Sequence, residues 1–226
     1  ATFTATGSEA AVIEGANSIT LTDSVLTSSV DDLRGVMLYQ SMSGDAEGTE
    51  GAFTMTGGSL AYTGANGPLF FVTNATGQIA LSGVELTVTS GILAQAGATD
   101  TWGTAGANGG NIVLTADAQT LDGDLVADEI STITLTLANG STLAGAIDSA
   151  DTAQSAALTL DASSSWSVTA DSHLTTLADD AALDGTTITN ITGNGHTVTY
   201  DAGNTANAWL NGGTYNLTGG GTLQPA

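Results

Sequence analysis

The sequence predicts an all-β chain, folded as a right-handed parallel β-helix (a β-solenoid) of about nine rungs with little or no α-helix. Three observations carry this. Short alternating runs rich in Thr, Val, Ile and Leu fill the chain. Small polar corners of Gly, Asn, Asp or Ser separate them. The runs also repeat one another at a base spacing of roughly two dozen residues, the length of one solenoid turn.

In chain order, ATFTATG (1–7) reads as a bare strand with no helical cap. Strand–corner–strand units then follow at FTMTGGSLAY (53–62), IALSGVELTV (79–88), IVLTADAQTL (112–121), LTLANGSTLAG (135–145), LTLDASSSWSV (158–168), ITGNGHTVTY (191–200) and YNLTGGGTLQ (215–224). Inward Val, Ile, Leu and Ala are expected to stack on like positions above and below, with Phe53, Ile79, Ile112, Leu135, Leu158, Ile191 and Tyr215 as equivalent starts. Corners need residues that tolerate positive φ, hence the recurring Gly and Asn. Nine layers at ~4.8 Å each make a rod about 45 Å long. The closing TYNLTGGGTLQPA (214–226) is strand again, with Pro225 its one breaker. Segments 178–183 and 151–157 are the best helical candidates, and both are too short to assign. An antiparallel sandwich competes, but two-residue Asn-Gly hairpin loops at regular sites are missing. The 226 residues are read as a single solenoid domain.

Charge narrows the function. Asp and Glu number 23 against a single Arg, with no Lys, for a net charge of −22. Such a surface repels phosphate backbones and anionic lipids, so no nucleic-acid partner and no membrane insertion are expected. An anionic substrate needs Arg or Lys at its site, and Arg34 stands alone. The expectation is a non-enzymatic protein. Cysteine is absent, which removes disulfides and thiolate sites. No run approaches the ~20 apolar residues of a membrane span. A start at Ala1 fits a mature chain released after a small residue, so a secreted, cell-surface location is expected.

The stretch from Leu33 onward resembles the right-handed parallel β-helix proteins that bacteria secrete, including pectate-lyase-like folds and autotransporter passenger domains. RGVMLYQSMSGDAEG (34–48), GPLFFVTNATGQIALSGVELT (67–87) and NAWLNGGTYNLTGGGTLQP (207–225) carry the likeness. It implies a long rod displayed outside the cell. It implies no activity, because the lyases need an Arg or Lys base and the pectin hydrolases a cluster of Asp with basic partners. This chain offers only Asp179-Asp180 and Gly195-His196-Thr197.

Candidate sites are few. Asp122, Asp124 and Asp128, with Glu129 beside them, are close enough in sequence to hold a structural Ca²⁺; the alternative is a solvated acidic surface. His173 and His196 could pair with Asp171 or Asp201 for acid–base or metal work, or sit at plain corners. Thr-x-Thr pairs such as Thr20/Thr22, Thr54/Thr56 and Thr132/Thr134/Thr136 put hydroxyls on one strand face, as ice-binding solenoids do, yet they fall irregularly along the repeat. Trp102, Trp166 and Trp209 could stack on a surface glycan or pack as core.

Both ends are the most suggestive feature. A solenoid ends in a layer of unpaired N–H and C=O groups, and natural rods cap it. With both ends read as bare strand, a homo-polymer joined head to tail by strand addition or rung stacking is expected, as in an extracellular filament or sheath. Its interface is expected at Thr2, Phe3, Thr4 and Ala5 of the first strand and at Tyr215, Leu217 and Leu223 of the last rung. A monomeric adhesin or carbohydrate-binding rod is the alternative, and a polysaccharide-degrading enzyme a more distant one.

Overall fold

The computed structural model describes residues 1–41 and 48–226, so residues 42–47 of the stretch 34–48 lie outside the described residues. The longest sheet runs Thr2–Ala5, Ser18–Ser28, Glu50–Tyr62, Thr76–Ser82, Asn111–Asp117, Thr132–Ala138, Ser155–Leu160 and Thr176–Ala178. Glu85–Val88 joins the far half of Glu50–Tyr62. All of these neighbours pair in parallel. A second sheet runs Thr120–Asp122, Thr142–Gly145, Ser165–Val168, Thr187–Thr192, Tyr215–Thr218, Thr222–Pro225, Thr197–Tyr200 and Ser172–Leu174. A third holds Asp124–Ala127, Ile92–Ala96, Phe70–Thr73, Val36–Tyr39 and Ala11–Glu14. The all-β class with parallel sheets is therefore as the sequence predicts. Helix among the described residues is confined to 3₁₀ turns at Asp180–Ala182 and Thr205–Leu210. The first lies inside the candidate 178–183, while 151–157 instead runs into the strand Ser155–Leu160.

Alternation explains why these strands form. In the longest sheet Ile19, Phe53, Ile79, Leu114, Leu135, Leu158 and Leu177 are register partners in one continuous inward column. All but the terminal Ile19 are buried. Each such side chain contributes roughly 1.5–3 kcal/mol by leaving water, offset by the entropy of ordering the chain. Two expected equivalences match this register, Phe53 with Ile79 and Leu135 with Leu158. Ile112 does not. It faces Gly77 and Ile133, two residues off but on the same side of the strand. Ile191 and Tyr215 belong to the second sheet, where Ile191 faces Trp166. Corners of unequal length separate the strands, so spacing along the chain does not track spacing in the sheet.

The corners obey the expected chemistry. Positive φ occurs at Gly57, Gly58, Gly83, Asn139, Gly140, Asn194 and Gly195, all inside the predicted polar corners. At Gly58 a Cβ would stand 2.1 Å from the Ser24 carbonyl oxygen, so only glycine fits there. The corner at Ala118 (φ 49) has no glycine; beside it the buried Gln119 amide accepts from the Val84 N–H (2.7 Å) and donates to the Val84 carbonyl (2.8 Å). A side chain there replaces one step of a backbone ladder.

Candidate functional site

The N-terminal layer is built from strands with one neighbour each. Among the described residues, Thr2–Ala5 pairs only with Val25, Leu26, Thr27 and Ser28; Ala11–Glu14 pairs only with Val36–Tyr39; residues 18–22 pair only with residues 52–56. Ala1 accepts a hydrogen bond from the Val25 N–H. Parallel ladders turn alternate residues to opposite edges, so Ala1, Phe3 and Ala5 bond inward while the backbone of Thr2 and Thr4 faces the open edge. Phe3 lies opposite the buried Leu26 and stays 50% exposed because no layer covers it. The other exposed large apolar side chains among the described residues are Val12 (47%), on the one-sided strand Ala11–Glu14, and Val25 (38%), which faces outward one turn below, between Thr2 and Ser59. Charge is sparse here: residues 1–28 carry Glu9, Glu14 and Asp23, and Glu9 pairs with Arg34 at 3.4 Å. Arg34 also lies over the Phe71 ring, 4.5 Å from its centroid.

The opposite end differs from the expected bare layer. Tyr215–Thr218 pairs in parallel with Thr187–Thr192 and antiparallel with Thr222–Pro225, which in turn pairs with Thr197–Tyr200. Both final strands thus have partners on two sides. Leu217 and Leu223 are buried in the core, and the Tyr215 hydroxyl donates to the Leu210 carbonyl at 2.8 Å. The last strand of the longest sheet is covered by the 3₁₀ turn Thr205–Leu210. There the Leu177 N–H donates to Asn207 Oδ1 (2.9 Å), and Trp209 Nε1 donates to the Leu177 carbonyl (2.9 Å). Asn204 and Asn207 side chains also donate to the Thr175 carbonyl. The sequence reading missed this cap because a single short turn carries no helical periodicity. Its signal was the amide-rich AGNTANAWLNGG.

The acidic candidates are not brought together. Asp122 is exposed at a strand end. Asp124 Oδ1 accepts from the Ala146 N–H at 2.7 Å. Asp128 accepts from the N–H groups of Ala98 (2.7 Å) and Ile130 (3.3 Å) and from the Ser131 hydroxyl. Among the described residues no group of three or more His, Cys, Asp or Glu converges as a metal would require. Asp124 and Asp128 tie neighbouring corners instead. His196 Nδ1 lies 3.6 Å from Asp171, as expected, whereas His173 sits by Asp151 (3.7 Å) and Thr199 Oγ1 (2.8 Å). His173, Asp148, Asp151 and Asp201 line an open cleft of about 260 Å³. Trp166 is buried, Trp102 packs on Tyr39 with ring centroids 4.9 Å apart, and Trp209 is tied to the Leu177 carbonyl, so none of the three tryptophans stands exposed.

Two further features come only from the structure. The threonines that look irregular in sequence align in space: Thr20, Thr54, Ala80, Thr115, Thr136 and Thr159 form one outward column of the longest sheet. The second is Asp179, a carboxyl 1% exposed whose Oδ1 accepts from Asn190 Nδ2 at 2.9 Å. Burial, against the pull of that hydrogen bond, and the nearby Asp180 charge push it up to about 7. Asp161 goes the other way. Its carboxyl is held well below the usual range, first by the Asn139 N–H and then by the groups of Ser163 and Ser164.

No family model, no curated protein and no solved structure matches this chain. Its own geometry has to carry the assignment.

Proposed function

We propose that the chain is a right-handed β-solenoid of about nine turns that serves outside the cell as a structural subunit, joining a second copy through its N-terminal layer. One observation carries the assembly: three one-sided strand edges meet there with Phe3 and Val12, the two most exposed large apolar side chains of the described residues. A second copy suits the surface because its own layer offers the same edges, and two such edges pair antiparallel about a two-fold axis. Few charges lie in the way, although each chain carries −22. Closure of the other end argues for head-to-head pairs over a head-to-tail filament. The extracellular setting rests on the likeness to secreted β-helix proteins and on the acidic, lysine-free surface.

The test is light scattering on the intact protein across concentration. Thr4→Pro removes an outward N–H without touching the inner ladder and is expected to abolish the dimer while leaving the fold intact by circular dichroism. A monomer at all concentrations, or a dimer indifferent to Thr4→Pro, overturns the reading.

The aligned threonine column supports a second reading, binding to an ordered, uncharged surface such as ice. β-Branched Thr holds its hydroxyl and methyl rigidly, at layer spacings of ~4.8 Å. Thermal hysteresis that vanishes in Thr136→Glu supports it; unaltered ice growth removes it.

A further inference from the structure

Two oxygen atoms at one place in the interior lack partners. Asp179 Oδ2 and Asn190 Oδ1 are both buried without a hydrogen bond, although the same two side chains already meet through Asn190 Nδ2 and Asp179 Oδ1 at 2.9 Å. A buried acceptor without a donor costs about 1–3 kcal/mol. An amide carries its N–H and C=O side by side, as a carboxylic acid carries its C=O and O–H. One proton therefore satisfies both orphans.

We propose that Asp179 is a neutral acid in the folded protein, donating Oδ2–H to Asn190 Oδ1, so that acid and amide form a two-bond latch across the last turns. The latch joins the start of the 3₁₀ turn Asp180–Ala182 to the strand Thr187–Thr192. That strand is already tied back by Thr189 Oγ1, which donates to the Ala182 carbonyl at 3.0 Å. No cation offsets a charge on Asp179. Asp180, its neighbour, is the charged group that acts on it. Asp184 lies in the paired strand Leu183–Asp184, while Thr187–Thr192, Thr205–Leu210 and Ser155–Leu160 contain no titratable side chain. Ionisation releases the proton to water, breaks the Oδ2–H bond and leaves a buried carboxylate holding one amide donor.

The direction comes from linkage. The folded state holds this proton up to about pH 7, whereas the unfolded chain gives it up near ~4. Between those values the folded-to-unfolded ratio falls by up to about tenfold per pH unit from this group, and above them the loss is complete and level. Binding of a proton at the last turns thus makes the C-terminal closure a pH-sensitive latch.

The test pairs a ¹³C carboxyl titration of the intact wild-type protein with urea unfolding at pH 5 and pH 8 for wild type and Asp179→Asn. The variant keeps an N–H donor for Asn190 Oδ1 and carries no charge. Expected are an Asp179 signal titrating near neutrality and a fall in stability from pH 5 to pH 8 that is smaller in Asp179→Asn by about eightyfold in the equilibrium constant. An Asp179 signal titrating in the ordinary carboxylate range overturns the proposal, as does an equal fall in both proteins. The NMR arm needs no variant to fold.

Discussion

The two ends of this molecule are made of the same material and finish in opposite ways. At the N-terminal layer Thr2–Ala5, Ala11–Glu14 and residues 18–22 each have one neighbour. At the other end Tyr215–Thr218 and Thr222–Pro225 pair with each other as well as with the strands beneath, and side-chain amides and an indole bind the edge of Thr176–Ala178. Strand propensity does not distinguish them. The difference lies in the segments that connect and cover the strands. A Gly219-Gly220-Gly221 corner, all at positive φ, lets the last two strands fold towards each other, and Asn204, Asn207 and Trp209 supply donors and an acceptor where a further strand would have stood. A stack of parallel strands therefore ends or stays open through its polar side chains, not its hydrophobic pattern.

The sharpest way to break the contrast is to open the closed end. Asn207→Ala strands the buried Leu177 N–H and removes the amide donor to Asp201 and one of the two to Thr175, and is expected to cost about 2–4 kcal/mol in urea unfolding. A loss below about 1 kcal/mol would show that the turn merely lies over the edge. At the open end the balance reverses. Phe3→Ala removes a side chain that is already half in water, so about 1 kcal/mol or less of stability goes, while sedimentation should show the dimer lost. A large stability loss without a change in association would place Phe3 in the core and not at an interface.

Smallest is the effect of Asp161, on an exposed corner between the ends. Its depressed carboxyl favours the folded state above the ordinary carboxylate range and loses that contribution as pH falls through it. Asp161→Asn should flatten the acid side of the stability profile, opposite in sign to Asp179→Asn. A steeper acid limb in the variant would mean that Asn139, Ser163 and Ser164 hold nothing there.

Much of the fold was legible because strand and corner chemistry are local. Gly57, Gly83, Asn139 and Asn194 mark corners in the sequence and bend the chain in space. Register was legible only where consecutive turns are of similar length, as from Phe53 to Ile79. Where residues 97–110 intervene, the spacing places Ile112 against Ile79, but packing selects Leu114. The first strand could be read from the alternation of ATFTATG, and the structure forms it at Thr2–Ala5. Asp179 could not. Nothing in Leu-Ala-Asp-Asp tells a buried acid from an exposed one, and its partner Asn190 arrives by folding. The threonine column was hidden for the same reason as the register.

That column and its inward counterpart run unbroken past excursions as different as residues 97–110 and the short step from Leu158 to Leu177. The frame and the bends are thus separately specified: connections of very different length leave the girders beneath in alignment. A peptide epitope spliced between Ala105 and Gly106 should leave thermal unfolding unchanged, and antibody binding to the folded molecule would report it on the outside.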